Sequence, residues 1–175
     1  MGKRSDFERK PRDYYPTPIA AVKPLIPHLP TSFTFAEPCA GDGRLINHIE
    51  SLSDSACAWA SDVEPRGEDI FEFDVFELTS NDVSDCNLII TNPPWDRKLL
   101  HPLITHLSAL KPTWLLFDAD WPHTIQSAPF MKQCEKIVSI GRVKWIEESA
   151  GVGKDNCAWY LFDANHSGRT EFVGR

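Results

Sequence analysis

The stretch NLIITNPPWDRK, residues 87–98, joins an apolar run to residue types that can act on a substrate. Leu88 to Ile90 have the character of a buried strand, and Asn92, two prolines and Trp95 follow it. Consecutive prolines have no backbone N–H, so they cannot continue a central strand or a helix interior. The sequence therefore predicts a stiff loop that holds an amide and an aromatic side chain at the end of a strand.

Five short apolar segments, including the one just described, end in polar or turn residues in this way. They are 32–38, 56–65, 69–76, 86–94 and 113–120. Helical spacing of apolar residues in 43–52 and 98–110 separates some of them, and such alternation predicts βαβ units with a mainly parallel sheet. Segments 134–147 and 156–163 are two further strand patterns, which we expect to pair as an antiparallel hairpin at the edge of the sheet. Near the start, Thr17 is expected to be the N-cap of a short helix with Pro18 in its first position.

Polar residues at these strand ends predict one shared site, because ligands of such sheets bind beyond the carboxyl ends of the strands. Gly41 and Gly43 follow the first strand and allow a ligand to approach the backbone. The loop lacks the G-x-G-x-x-G spacing, so nicotinamide binding is poorly supported. Asp62 is placed to accept hydrogen bonds from the hydroxyl groups of a ribose, and Asp74 could accept a hydrogen bond from an exocyclic amine. Any one acid is more often a cap or a surface group. Glu37, Asp62 and Asp74 at successive strand ends, with the proline loop at the fourth, favour a binding site.

Composition limits the class of protein. The 175 residues, 42% of them hydrophobic, favour one globular domain. No apolar run approaches the roughly 20 residues that span a bilayer, and the start lacks the apolar stretch of a signal peptide. Five scattered cysteines without a C-x-x-C pair argue against a zinc site and against disulfides. We therefore expect reduced thiols, no metal and a cytoplasmic location.

Charge is unevenly distributed along the chain. The net charge of −7 lowers the expectation of a nucleic-acid partner, but basic residues crowd the first twelve positions. A solvated flexible tail explains this cluster as well as a binding role does. The basic residues of the cluster are Lys3, Arg4, Arg9, Lys10 and Arg12.

Taken together, the motifs resemble those of S-adenosylmethionine-dependent amino-methyltransferases. TNPPW resembles the Asn-Pro-Pro-aromatic loop of that family, EPCAGDG its glycine loop, SDVEP its ribose-binding acid and FDV its adenine-contacting acid. DYYPTP resembles the segment before the first strand, and the motif order is similar to the gamma arrangement. The last strand pattern, DNCAWYLFD, resembles small phage and prophage members that act on DNA adenine.

The resemblance implies an α/β, Rossmann-like fold: a seven-stranded, mostly parallel sheet with an antiparallel last strand and helices on both faces. It implies methyl transfer from S-adenosylmethionine to the N6 amine of a flipped-out adenine in DNA. The implied catalytic residues are Asn92, Pro93, Pro94 and Trp95, with Trp95 offering a stacking face to the base. The implied cofactor-binding residues are Tyr15, Thr17, Pro18, Glu37, Pro38, Cys39, Ala40, Gly41, Gly43, Asp62, Val63, Asp74, Val75 and Asn92.

The same resemblance leaves the acceptor open. Cytosine N4, an RNA adenine and a protein glutamine are alternative acceptors, and a cofactor-binding module without activity is an alternative from another class. Gamma enzymes usually carry a target-recognition domain that is not expected here, so residues 13–175 are expected to form the single catalytic domain after the tail 1–12. We therefore expect low sequence specificity, with DNA contacts from the basic cluster and from Trp121.

Overall fold

A computed structural model describes residues 14–146, 151 and 153–175. The helices are α1 (Ile19–Val22), α2 (Arg44–Leu52) and α3 (Arg97–Leu110). The strands are β1 (Ser32–Glu37), β2 (Asp54–Asp62), β3 (Phe71–Glu72), β4 (Leu88–Thr91), β5 (Thr113–Asp118), β6 (Cys134–Arg142), β7 (Asn156–Phe162) and β8 (Glu171–Val173). Short 3-10 helices occupy Ile26–His28, Val75–Glu77, Trp121–His123, Ile125–Ser127 and Met131–Gln133.

The strands form one mixed sheet in the order β3-β2-β1-β4-β5-β7-β6-β8. All pairs from β3 to β5 are parallel, and β7 runs antiparallel to both β5 and β6. The predicted fold class is confirmed, with one addition. The three-residue strand β8 pairs in parallel with the outer side of β6, so the predicted hairpin does not form the sheet's edge. A strand this short has too few residues to show an alternating pattern in the sequence.

Two hydrophobic cores lie on opposite faces of the sheet, because neighbouring residues of a strand point to opposite sides. Leu88 and Ile90 of β4 pack in one core with α1 and α2. Ile89, between them, packs in the other core with α3. The helices therefore cover both faces, as predicted, and every residue of β4 is buried.

Two local predictions about the chain near the site are wrong. The third strand pattern yields a strand of only two residues, because Asp74 accepts a hydrogen bond from the Phe76 backbone N–H (2.9 Å) and begins a 3-10 turn instead. Thr17 is not a helix cap either. The N-cap of α1 is Pro18, which makes no side-chain capping bond, and the Thr17 side chain turns inward.

The order of the strands reverses between β1 and β4. From β1 the chain builds outward through β2 and β3, then crosses back to place β4 on the other side of β1. In open α/β sheets, ligands bind beyond the carboxyl ends of the strands at such a reversal. The glycine loop follows β1 and the proline loop follows β4, so the fold brings the two motifs together.

Candidate active site

A cavity of about 310 Å³ opens at this reversal. Its size lies at the lower end of the roughly 300–1,000 Å³ that is usual for small-molecule sites. The ends of β1, β2 and β4, the turn after β3 and the segment before α1 all contribute to its wall. Residues that are distant in the sequence therefore surround a single space.

The glycine loop turns through backbone conformations that only glycine adopts easily. Gly41 has φ of 56° and Gly43, the N-cap of α2, has φ of 77°. The Tyr14 ring lies against Gly41 so closely that a Cβ built there would be 2.6 Å from Tyr14 Cε2. The Arg66 guanidinium stacks on the same ring, 3.7 Å from its centroid. Burial and the neighbouring Asp42 carboxylate raise the pKa of Tyr14 to about 12, so this phenol stays neutral at physiological pH.

Glu37 is the deepest acid in the cavity wall. Only 1% of the residue is exposed, and within the described part of the chain its Oε2 has no hydrogen-bond partner. Burial, followed by the nearby carboxylates of Asp62 and Asp42, raises the pKa of Glu37 well above its usual range. A buried carboxyl group with an unused oxygen is suited to a cationic group of a ligand, because such a group would satisfy the oxygen and neutralise the charge.

Asp62 connects two strand ends by hydrogen bonds to the backbone. Its Oδ2 accepts from the Gly41 N–H and its Oδ1 from the Glu64 N–H, both at 2.8 Å. A carboxylate has about four acceptor positions, so both oxygens can still accept from a ligand. Asp74, in contrast, is exposed at the cavity rim, with its Oδ1 accepting from the Phe76 N–H.

The Asn92 amide is held on both sides. Its Nδ2 donates to the Tyr15 carbonyl oxygen (3.3 Å) and to Thr17 Oγ1 (3.1 Å), and its Oδ1 accepts from Trp95 Nε1 (3.2 Å). A carbonyl can only accept and an indole N–H can only donate, so these neighbours fix which end of the amide is oxygen. The inward Thr17 side chain thus has a role that its sequence position did not reveal.

Trp95 is half-buried and its indole ring is enclosed by other side chains. Its ring packs against both cores and meets Trp145 edge to face, with centroids 5.7 Å apart. Its N–H also points to the Leu116 carbonyl oxygen at 3.1 Å. The ring is outside the cavity wall, which at this loop is formed by Asn92 and Pro94.

Most of the predicted cofactor residues surround the cavity together. Those in its wall are Tyr15, Thr17, Glu37, Pro38, Cys39, Ala40, Gly41, Asp62, Val63, Asp74, Val75 and Asn92. Pro18 and Gly43 adjoin the wall in sequence without lining it. The sequence analysis did not select Tyr14, Pro16, Asp42, Leu45, Glu64, Arg66, Phe76, Leu99 and Leu103, which also line the cavity. Tyr14 and Pro16 lie in the DYYPTP motif, so the motif itself was a usable signal for them.

The expected DNA contact at Trp121 is wrong. Trp121 is 1% exposed, packs edge to face on Phe117 and donates its indole N–H to His101 Nε2 at 3.0 Å. This side chain is part of the core and cannot stack on a base. The basic residues Lys3, Arg4, Arg9, Lys10 and Arg12 lie outside the described residues, so their predicted contacts stay predictions.

The described cysteines are free thiols, and Cys86, Cys134 and Cys157 are buried. Across residues 14–146, 151 and 153–175, no cluster of three or more His, Cys, Asp and Glu has the arrangement of a metal site. None of the helices in these ranges is both long and apolar enough to traverse a bilayer.

Comparison with known proteins gives matches at the level of structure alone. No protein-family model matches the chain, and no curated protein sequence matches it. A putative RNA methyltransferase from Pyrococcus horikoshii aligns over 92% of this chain and 93% of its own, with a TM-score of 0.64 and 15% identity. The chain has a methyltransferase fold.

Two subunits described as parts of type I restriction systems share this fold, and this chain spans a little less than half of the length of each. The methyltransferase subunit from Streptococcus thermophilus has a TM-score of 0.57 and 11% identity. Its alignment covers 92% of this chain and 46% of that one. The modification subunit of a putative type I restriction enzyme from Vibrio vulnificus has a TM-score of 0.56 and 12% identity. Its alignment covers 92% of this chain and 47% of that one. At such low identity the likeness concerns the fold, and the chemistry has to be argued from the residues in the cavity.

Proposed function

We propose that this protein transfers a methyl group from S-adenosylmethionine to the exocyclic N6 amine of adenine in DNA. The observation that carries the proposal is the position of Asn92. Its amide has a fixed orientation in the wall of the cavity, at the end of β4, next to the glycine loop. This arrangement suits a reaction that needs a well-placed hydrogen-bond acceptor in the protein and no strong base.

The cavity wall fits the chemical parts of S-adenosylmethionine. The unused Glu37 oxygen suits the ammonium group of the methionine portion, since it is buried and has no protein partner among the described residues. The Asp62 carboxylate keeps acceptor capacity for ribose hydroxyls, and Asp74 can accept from the adenine amine at the rim. When bound, the cofactor supplies a methyl group on a positively charged sulfur.

The proline loop suits the activation of an amine. The lone pair of an exocyclic amine is conjugated with its ring, which makes the nitrogen a poor nucleophile. The proposal assigns one N–H bond of the amine to Asn92 Oδ1, in the cavity wall, and the other to the carbonyl oxygen of Pro93, the buried residue that follows it, which would favour a tetrahedral nitrogen with its lone pair free. Because prolines restrict the backbone, these acceptors are positioned before the substrate arrives.

Adenine in DNA is the proposed acceptor because the Asn-Pro-Pro-Trp loop and the DNCAWYLFD segment, which contains β7, resemble those of small DNA adenine methyltransferases. An RNA adenine is the second candidate, since the neighbour matched over 93% of its own length is described as a putative RNA methyltransferase. Cytosine N4 and a glutamine side chain are further acceptors compatible with the same loop. A module that binds the cofactor without activity is the alternative from another class.

Mass spectrometry of the product distinguishes these acceptors. The protein is incubated with isotopically labelled S-adenosylmethionine and with duplex DNA, single-stranded DNA, structured RNA or a protein extract, and the digested products are analysed. We expect labelled N6-methyladenine from DNA. Labelled N6-methyladenosine from RNA, N4-methylcytosine or methylglutamine would instead identify RNA, cytosine or a protein as the methyl acceptor. Cofactor binding without any labelled product would favour the binding module.

A further inference from the structure

The indole N–H of Trp95 has two acceptors. Asn92 Oδ1 is 3.2 Å from Trp95 Nε1, and the Leu116 carbonyl oxygen is 3.1 Å away. Since an indole nitrogen carries a single hydrogen, the two oxygens share it. The hydrogen can therefore remain bonded to Leu116 at the end of β5 when the Asn92 oxygen takes another partner.

The Asn92 side-chain amide keeps one position for a hydrogen bond with a substrate. Both hydrogens of the Asn92 amide nitrogen have partners in the segment before α1, namely Tyr15 and Thr17. Asn92 Oδ1 has two lone pairs, of which the Trp95 contact uses one. The second lone pair is the capacity that a target amine requires.

The Trp95 ring is itself held in place. Trp145 lies at 85° to it, and both hydrophobic cores pack against it. A ring held by packing gives its N–H a fixed direction, so the donor cannot follow Asn92 if that side chain rotates.

We propose that Trp95 is a positioning residue whose indole N–H, shared with Leu116, aims the Asn92 oxygen so that its second lone pair faces the target amine. This role rests on the proposed function and differs from stacking on the target base. Stacking needs only an aromatic face, which phenylalanine also has. Positioning needs the N–H, which phenylalanine lacks.

Trp95→Phe separates the two roles. We expect kcat to fall about tenfold, equivalent to about 1.4 kcal/mol of transition-state stabilisation, with the KM for the cofactor and for the acceptor little changed. Trp121→Phe is the matched control. It removes an indole N–H that bonds to His101 in the core, and it should leave kcat unchanged once folding is verified by circular dichroism. Unchanged kcat in Trp95→Phe, or an increase in acceptor KM alone, would overturn the proposal.

A second readout needs no methyl transfer. The indole ¹H–¹⁵N resonance of Trp95 is assigned by its loss in Trp95→Phe and is then followed in Asn92→Ala. We expect this resonance to move while that of Trp121 stays in place. If Trp95 keeps its resonance position in Asn92→Ala, the contact is absent and the positioning role is refuted. If the resonance moves but the wild type methylates no acceptor, the proposed function fails and the contact stands.

Discussion

The Gly41 backbone N–H donates to Asp62 Oδ2 at 2.8 Å, so the loop after β1 is bonded to the acid that ends β2. The other Asp62 oxygen accepts from Glu64 at the same distance. One side chain thereby sets the relative position of two loops in the cavity wall. Its carboxylate form matters, because both bonded backbone groups are donors.

Replacing Asp62 with asparagine should weaken cofactor binding. The variant keeps the side-chain size but turns an amide NH₂ toward a backbone N–H, which leaves one donor without an acceptor. We expect the Kd for S-adenosylmethionine to rise at least about tenfold, or about 1.4 kcal/mol, in isothermal titration. Asp69→Asn, an exposed change outside the cavity wall, is the matched control. Equal affinity of Asp62→Asn and wild type would contradict the role given to this acid.

Glu37 should make stability depend on pH. Its folded-state pKa is raised, chiefly by burial, so the folded protein holds this proton at pH values where the unfolded chain has lost it. Its contribution is therefore fully present below the ordinary glutamate pKa of 4.5 and is lost as pH rises through the folded-state pKa. Thermal unfolding between pH 4 and pH 8 should show a decline in wild type that is smaller in Glu37→Gln.

The Glu37 carboxyl group should also release a proton when the cofactor binds. A cationic ligand group beside Glu37 favours the carboxylate, so binding of S-adenosylmethionine should release a proton at pH values below the raised pKa. Titrations in buffers of different ionisation enthalpy measure that proton. Glu37→Gln should abolish its release. Proton release of equal size in the variant would show that another group is responsible.

Gly41→Ala should destabilise the protein and disturb the cavity. The Cβ would lie 2.6 Å from Tyr14 Cε2, and the left-handed backbone alone costs about 1–2 kcal/mol for a non-glycine residue. Chemical denaturation should show at least this loss. Gly151→Ala is the control, because none of the described residues lies within 4 Å of its Cβ position. In the double variant Gly41→Ala, Tyr14→Ala, the free energy of unfolding that was lost to the clash with the Tyr14 ring should be recovered. The cost of the left-handed backbone should remain. Equal stability of Gly41→Ala and wild type would contradict this account.

Features that depend on neighbouring residues in the sequence were predictable. The Asn-Pro-Pro-Trp loop follows an apolar run directly, and the two glycines follow another, so their places at strand ends could be inferred from order alone. The convergence of those ends then followed from the rule for parallel sheets. Six of the seven predicted strands and both long helices have the same origin in apolar periodicity, whereas the third pattern gave only the two-residue β3.

Features that depend on distant contacts were not predictable in this way. Thr17 had the sequence of a helix cap, and its actual partner, Asn92, is 75 residues away. Trp121 follows an acidic turn that resembled an exposed rim, yet aromatic residues from β5 and β7 enclose it. One local feature was missed as well: Asp74 had the sequence of a strand end, but its bond to the Phe76 N–H, two residues away, was enough to begin a turn. In each case a competing hydrogen bond or packing partner decided the outcome.

The most direct test of methyl transfer at the proline loop is the single-turnover rate of Asn92→Ala. The labelled methyl group transferred to adenine in DNA is measured with the cofactor saturating, and cofactor affinity is measured separately by titration. We expect the rate to fall about 100-fold to 1,000-fold, as for the loss of one preorganised polar contact in a transition state, while affinity changes little. A variant that methylates adenine at the wild-type rate would contradict the central role of Asn92.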